Sequence, residues 1–296
     1  MKYGFDKKRN QPASHVAAIT KNSNFKLIAG CDKDPKLRNI FKKKLSNQIS
    51  VFADHIKLIE FLNSNGMTCD LFTIATPENT HYTILCDLIQ NFKNKKTSTV
   101  IFCEKPITPD LESAKRIKQL LRKTRIKLVI NHSRRWSTIW QKAFKFKNKI
   151  GQIEKGAFYF STSPENKKLE QIRDGIHIGD FISWFKIQKK ISINRLNLPY
   201  FVYDFHLWGS NGKIEILDSD EVLNLYQKRK SKRFKGFHEL ILIHSIRIKE
   251  SMIENAYKEF ADFFHGNKTK LSTDICDGIS ALNSFEKHVY EKKLFS

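Results

Sequence analysis

The sequence predicts an α/β chain: a Rossmann-like doubly wound parallel sheet, N-terminally incomplete, followed by an α+β domain with a largely antiparallel open sheet. Three observations lead there. Up to Ile130, short unbroken apolar runs alternate with amphipathic stretches, and strands that read as continuous apolar runs are those covered on both faces of a parallel sheet. After Asn131 the rhythm changes, and strands arrive at hairpin spacing around the turn signal Ser210-Asn211-Gly212. The 296 residues, 40% of them hydrophobic, suit two modest cores better than one large one. The expected domains are 1–131 and 132–296.

In chain order, strands are expected at Phe25 to Cys31, Leu71 to Ala75, Val100 to Cys103 and Leu128 to Ile130, with a shorter one at Val51-Phe52. Helical patterns fall between them at about Ala13 to Lys21, Pro35 to Leu45, Ile56 to Asn63, His81 to Ile89 and Asp110 to Arg122. In the second half a helix around Ile139 to Lys147 precedes a strand from Ile153 to Ser161 and a helix from about Gly175 to Phe185. Strands at Val202 to Trp208, Lys213 to Leu217 and Val222 to Tyr226 then lead to two closing helices, about Met252 to Phe264 and Thr273 to Tyr290.

No apolar run approaches the roughly 18 residues that cross a bilayer, and Met1 to Asn10 lack the apolar core of a secretory signal. A cytoplasmic protein without a membrane partner is the expectation. The five cysteines are widely spaced, without a C-x-x-C pair or a zinc-finger histidine, and read as small buried hydrophobes rather than metal ligands. The net charge of +23 invites a nucleic-acid reading, but the basic residues are scattered along the whole chain. The densest run, Lys228 to Lys235 (KRKSKRFK), reads as a solvated loop, with a phosphate-contacting patch as the alternative. Such a charge favours an anionic small-molecule substrate by raising its local concentration.

The chemistry-bearing residues cluster at strand ends, where doubly wound sheets bind ligands. Asp32 follows the strand that ends at Cys31. An acid there accepts from adenosine ribose hydroxyls and repels a 2′-phosphate, which favours NAD over NADP, although the neighbouring Lys33 leaves NADP open. As an isolated feature, Asp32 reads first as a helix cap before Pro35. Thr76, Pro77 and Asn79 follow the next strand and can edge a cofactor pocket, Asn79 serving alternatively as a helix N-cap. Glu104 and Lys105 end the strand after that, as cofactor contacts, and a lysine there can also hydrogen-bond a substrate hydroxyl and stabilise a developing alkoxide.

The A-T-P-x-x-x-H segment from Ala75 to His81 and the E-K-P of Glu104 to Pro106 are followed by Asn131-His132-Ser133-Arg134-Arg135-Trp136, Gly151-Gln152-Ile153, Asp174 to Asp180 and Trp208 to Gly212. In this order the segments resemble the Gfo/Idh/MocA family, which includes glucose-fructose oxidoreductase and inositol dehydrogenase. The resemblance implies that Lys105 is the catalytic or substrate-orienting lysine and that His177 is the general acid/base taking the carbinol proton. It implies an aspartate beside that histidine as well. Many members carry it four residues earlier, where this chain has Arg173, so Asp174, three residues before His177 and on the same helix face, takes that role here. Arg135 joins Lys105, Asp174 and His177 as a substrate contact. His177 and His15 also have plain packing readings.

The family's glycine-rich pyrophosphate loop is represented at most by Gly4, expected as its tail, and the strand preceding that loop has no counterpart ahead of it. A start placed too far downstream, or a degraded member, is the expectation drawn from that. Residues 1–131 are thus expected to bind the dinucleotide and 132–296 to bind substrate and form a homo-oligomer. The expected function is hydride transfer between NAD(P) and a hydroxyl carbon of a sugar, sugar nucleotide or cyclitol. The alternative is a catalytically inactive member that binds a sugar or a protein.

Overall fold

The structure, a computed structural model, describes residues 10–45, 49–94, 98–161, 169–188, 191–196, 198 and 200–287, the side chains of 169–174 excepted. The chain divides into two compact units, Met1–Ser133 with Ser251–Ile279, and Arg134–Glu250 with Ser280–Ser296. The first boundary thus falls beside the expected one, after Asn131. Residues 251–279, expected with the second domain, group instead with the first. The reason is aromatic packing: from α8 (Met252–Phe264), Tyr257 and Phe260 set their rings against Phe102 with centroids 5.8 and 4.9 Å apart.

The first unit holds α1 (His15–Lys21), β1 (Ala29–Cys31), α2 (Pro35–Leu45), β2 (Ser50–Phe52), α3 (His55–Ser64), β3 (Leu71–Ile74), α4 (His81–Phe92), β4 (Val100–Cys103), α5 (Leu111–Leu121) and β5 (Lys127–Ile130). All its strand pairs are parallel, and they form two sheets, β1-β2 and β3-β4-β5. Among the described residues no strand joins β1 to β3. This accounts for a shortened element. Of the strand expected from Phe25 to Cys31 only Ala29–Cys31 forms, because β2 offers three residues to pair with and Phe25 turns its ring to Tyr257 and Phe264 instead. Burial follows pairing: the four residues of central β4 are fully buried, whereas those of β1 and β2 stay partly exposed. Gly30 lets α2 approach β1, since a Cβ there would lie 2.6 Å from the Phe41 ring.

The helices start where side chains satisfy their first N–H groups. Ser14 caps α1, Asp54 caps α3, Asp110 caps α5 and Ser251 caps α8.

The second unit holds α6 (Thr138–Phe146), β6 (Ile153–Ser161), α7 (Leu169–Phe185), β7 (Ile191–Leu196), β8 (Tyr203–Gly209), β9 (Gly212–Leu217), β10 (Val222–Lys230) and β11 (His238–Arg247). These strands form one sheet in the order β11-β10-β9-β8-β6-β7. The β6-β7 pair alone is parallel, and α7 is the crossover such a pair requires. One face of the sheet buries Phe158, Phe205, Ile214, Ile216, Leu223 and Leu225 with Trp140 of α6 and Phe181 of α7. Strands β7 and β11 were not specified by the sequence. Of the last helix, α9 (Ile275–Phe285), the residues up to Ile279 group with the first unit and those from Ser280 with the second.

The cysteine expectation needs correction. Cys103 alone is buried, its thiol pushed up by that burial, while Cys69 and Cys86 are half-buried and Cys31 and Cys276 exposed. All five are free thiols. No helix among the described residues is long and apolar enough to cross a membrane.

Candidate active site

Parallel strands end with their carboxyl edges on one side, so the residues that follow β3, β4 and β5 share a rim. After β3, Ala75, Thr76 and Pro77 are exposed, followed by a single 3₁₀ turn at Glu78–Thr80 that carries the exposed Asn79. The Thr80 hydroxyl donates to Pro77 O at 2.7 Å and meets the Thr76 hydroxyl at 2.8 Å, where Thr76 can donate, which stiffens the turn. His81, 1% exposed, sets Nε2 2.9 Å from Thr76 O and Nδ1 2.8 Å from Pro106 O. Its ring thus ties the Thr76-Pro77 turn to the loop after β4. The sequence marked His81 as part of the motif without anticipating this bridge.

After β4 stand Glu104 and the half-buried Lys105, joined to Pro106 by a cis peptide. Glu104 Oε1 accepts from His15 Nε2 at 2.9 Å and from Asn131 Nδ2 at 2.8 Å, while Oε2 takes the Lys105 backbone N–H at 3.3 Å. Beyond His15 the chain continues: Nδ1 meets the Tyr257 hydroxyl at 3.1 Å, and that oxygen meets Thr73 Oγ1 at 2.9 Å. One proton order satisfies all four groups, with Thr73 donating to Tyr257, Tyr257 to His15 and His15 to Glu104. Burial alone would raise the Glu104 pKa, but the His15 and Asn131 hydrogen bonds and the adjacent charges hold it below the usual carboxylate value. Burial pushes the Tyr257 hydroxyl the other way, so it stays protonated. Asn131 Oδ1 is buried with no hydrogen-bond partner among the described residues. His15 and Tyr257 therefore act as braces for the strand-end carboxylate, and only the spatial meeting of α1, β4 and α8 reveals it.

Asp32 follows β1 as expected from the sequence. Its Oδ1 accepts the Asp34 N–H at 2.9 Å, and Arg38 donates to the carbonyls of Asp32 and Lys33 at 2.7 and 2.9 Å. The loop is thereby rigid, with the carboxylate partly exposed. Gly4 lies outside the described residues.

In the second unit His177 is half-buried on α7; Asp174 belongs to the same helix three residues earlier, and its side chain lies outside the described residues. Gly179 permits the close seat of this helix, because a Cβ there would lie 2.3 Å from Ala281 O. Arg135, expected to contact substrate, is 7% exposed and holds Asp180 through Nη2 at 2.7 Å and Nε at 3.2 Å. Its guanidinium also lies 4.5 Å from the Trp184 ring. Arg134 is likewise engaged, with Asp220 at 2.9 Å, an acid that also accepts the Trp140 indole N–H at 2.8 Å. The Arg134-Arg135 pair thus anchors the second unit's polar interior, a role that alternating motif letters do not disclose. No cluster of metal-ligand type occurs among the described residues.

Residues 11–132 match the model of the oxidoreductase family with an NAD-binding Rossmann fold, Gfo/Idh/MocA. The inositol 2-dehydrogenase of Rhizobium meliloti is 25% identical over 142 residues, which is 47% of this chain and 39% of that protein's length. Among solved structures, the WlbA dehydrogenase of Bordetella pertussis, in complex with NADH and UDP-GlcNAcA, superposes with a TM-score of 0.68 at 13% identity, covering 94% of this chain and 91% of its own. A dehydrogenase from Chromobacterium violaceum gives 0.72 at 12% identity, covering 94% and 91%. At such identities the likeness to these structures is one of fold. Residues 11–132 are thus similar to the NAD-binding Rossmann domain of the Gfo/Idh/MocA oxidoreductases, and the chain spans well under half the length of the inositol dehydrogenase it matches.

Proposed function

We propose that this protein moves a hydride between a nicotinamide cofactor and a hydroxyl-bearing carbon of a sugar, sugar nucleotide or cyclitol. The observation that carries the reading is the rim of the parallel strands: Thr76-Pro77, Glu104-Lys105 and Asn131 stand at the ends of three adjacent strands, braced by His81 and His15. The residues present fit a dinucleotide. Exposed Thr76 and Pro77 offer a flat edge, and Asp32, held by the Asp34 N–H, presents a carboxylate to a ribose diol. That carboxylate favours NAD over NADP.

When bound, the nicotinamide accepts or supplies the hydride. The chain's own residues handle the oxygen. Oxidation of a carbinol to a carbonyl releases one proton, which the His177 imidazole takes, while the Lys105 ammonium donates a hydrogen bond to the oxygen as negative charge grows on it. Asp174, on the same helix face as His177, orients substrate or ring. Arg135, expected from the sequence as a substrate contact, is given to Asp180 and holds the second unit's interior instead of substrate. The net charge of +23 raises the local concentration of an anionic sugar nucleotide.

Titration of NADH followed by its fluorescence tests the cofactor step, and NADH formation with a panel of cyclitols and UDP-sugars tests the chemistry. Tight NADH binding with turnover of one panel class supports the proposal. NADH binding without turnover of any class would favour the inactive binding protein.

A further inference from the structure

Strands β10 and β11 remain paired from Val222↔Arg247 to Lys230↔His238, whereas β9 accompanies β10 only as far as Gln227↔Gly212. From Arg229 to Glu239 the two strands therefore form a free ribbon. Nearly every residue between Lys228 and Ile243 is exposed. The segment 228–239 carries six Lys or Arg against one Glu, and that acid is held by Arg233 and Ser231. Apolar groups interleave with these charges. Phe234 and Phe237, 59% and 71% exposed, lie in the turn, and residues 240–243 put four aliphatic side chains at the root.

We propose that this ribbon docks the protein peripherally on an anionic bilayer surface. Exposed rings and aliphatic chains enter the boundary between headgroups and acyl chains, while Lys and Arg stems lie along it and place their charged ends among acidic headgroups. The mixture argues for this occupant over two others. Single-stranded nucleic acid stacks on flat rings, and four of the six exposed apolar residues here are aliphatic. A second copy carries the same +23 and the same cationic ribbon, so ribbon-to-ribbon contact is repulsive. A peripheral contact requires no spanning helix.

The test is sedimentation of the full chain with phosphatidylcholine vesicles prepared with and without phosphatidylserine. Binding to the acidic vesicles only, weakened by salt, is expected. Removing three charges together, Lys230→Gln, Lys232→Gln and Lys235→Gln, should lower the partition constant on the order of 100-fold. Phe234→Ser with Phe237→Ser should lower it on the order of tenfold, with the melting temperature unchanged since both rings are exposed. Equal partition into neutral vesicles, no partition at all, or an unchanged constant in the charge variant would overturn the proposal. So would sensitivity to these variants seen only in binding of a single-stranded RNA, or only in a concentration-dependent doubling of mass, which would reassign the ribbon to nucleic acid or to a second copy.

Discussion

Each unit builds a cluster around one carboxylate, and the two clusters are closed to different degrees. Asp180 has a side chain 5% exposed and gives both oxygens to the Arg135 guanidinium, itself covered by Trp184. Glu104 has a side chain 30% exposed, takes two donors on one oxygen and keeps the other towards the backbone of Lys105. A fully matched ion pair has no capacity left for a ligand, whereas a carboxylate braced on one side holds its neighbours still and leaves an edge for chemistry. The comparison separates a cluster that holds the protein together from one that can hold a reacting group.

The largest expected effect falls on turnover. Lys105→Ala and His177→Ala should each lower kcat by about 10²- to 10⁴-fold while NADH titrations stay near wild type, because in the proposed reaction both address the substrate oxygen. Arg135→Ala sharpens the contrast, since its loss should appear in stability. Equal loss of kcat in a folded Arg135 variant would break the comparison by placing the pair in the reaction.

Next in size is the closed pair itself. Asp180→Ala strands a buried guanidinium and should cost about 3–5 kcal/mol in urea unfolding. Replacing both partners by apolar residues of similar volume should restore most of that. A small penalty for the single variant would mean that water reaches Arg135.

The open cluster should respond less and with a pH signature. Glu104→Gln should cost about 1–3 kcal/mol near neutral pH, the worth of hydrogen bonds to a charged group. The Glu104 pKa is lowered in the folded state, so its contribution is complete above the unfolded carboxylate value and disappears as pH falls through the folded one. Wild type and Glu104→Gln should therefore converge in stability in acid. A constant gap across that range would show that the carboxylate charge is not what His15 and Asn131 recognise.

The smallest effect concerns the rim of β1. Asp32→Ala should reduce the preference for NAD over NADP by about tenfold, measured as the ratio of the two dissociation constants. An NADP preference in the wild type would point to Lys33 or Arg38 as the governing group.

Much of the fold was legible because burial leaves a period in the sequence. The unbroken run Val100 to Cys103 became the central, fully buried β4, and the amphipathic stretch from Met252 became α8 with the expected ends. Strand β11 was missed for the converse reason. As the outermost strand of its sheet it is exposed on both sides, so it shows no alternation of apolar and polar residues. The rim of the candidate site was partly legible too, since strand ends place Asp32, Thr76 and Glu104 by counting alone.

The sequence by itself determined the alternation of strands and helices, the family resemblance and the strand-end positions of the candidate residues, because those follow from local pattern and motif order. Only the tertiary structure decided what each polar side chain meets. His15 reaches Glu104 across 89 residues and Tyr257 across 242, and Arg135 reaches Asp180 across 45. A buried polar group must find a partner wherever the fold brings one, and that choice is made in space, where neighbours along the chain have no say.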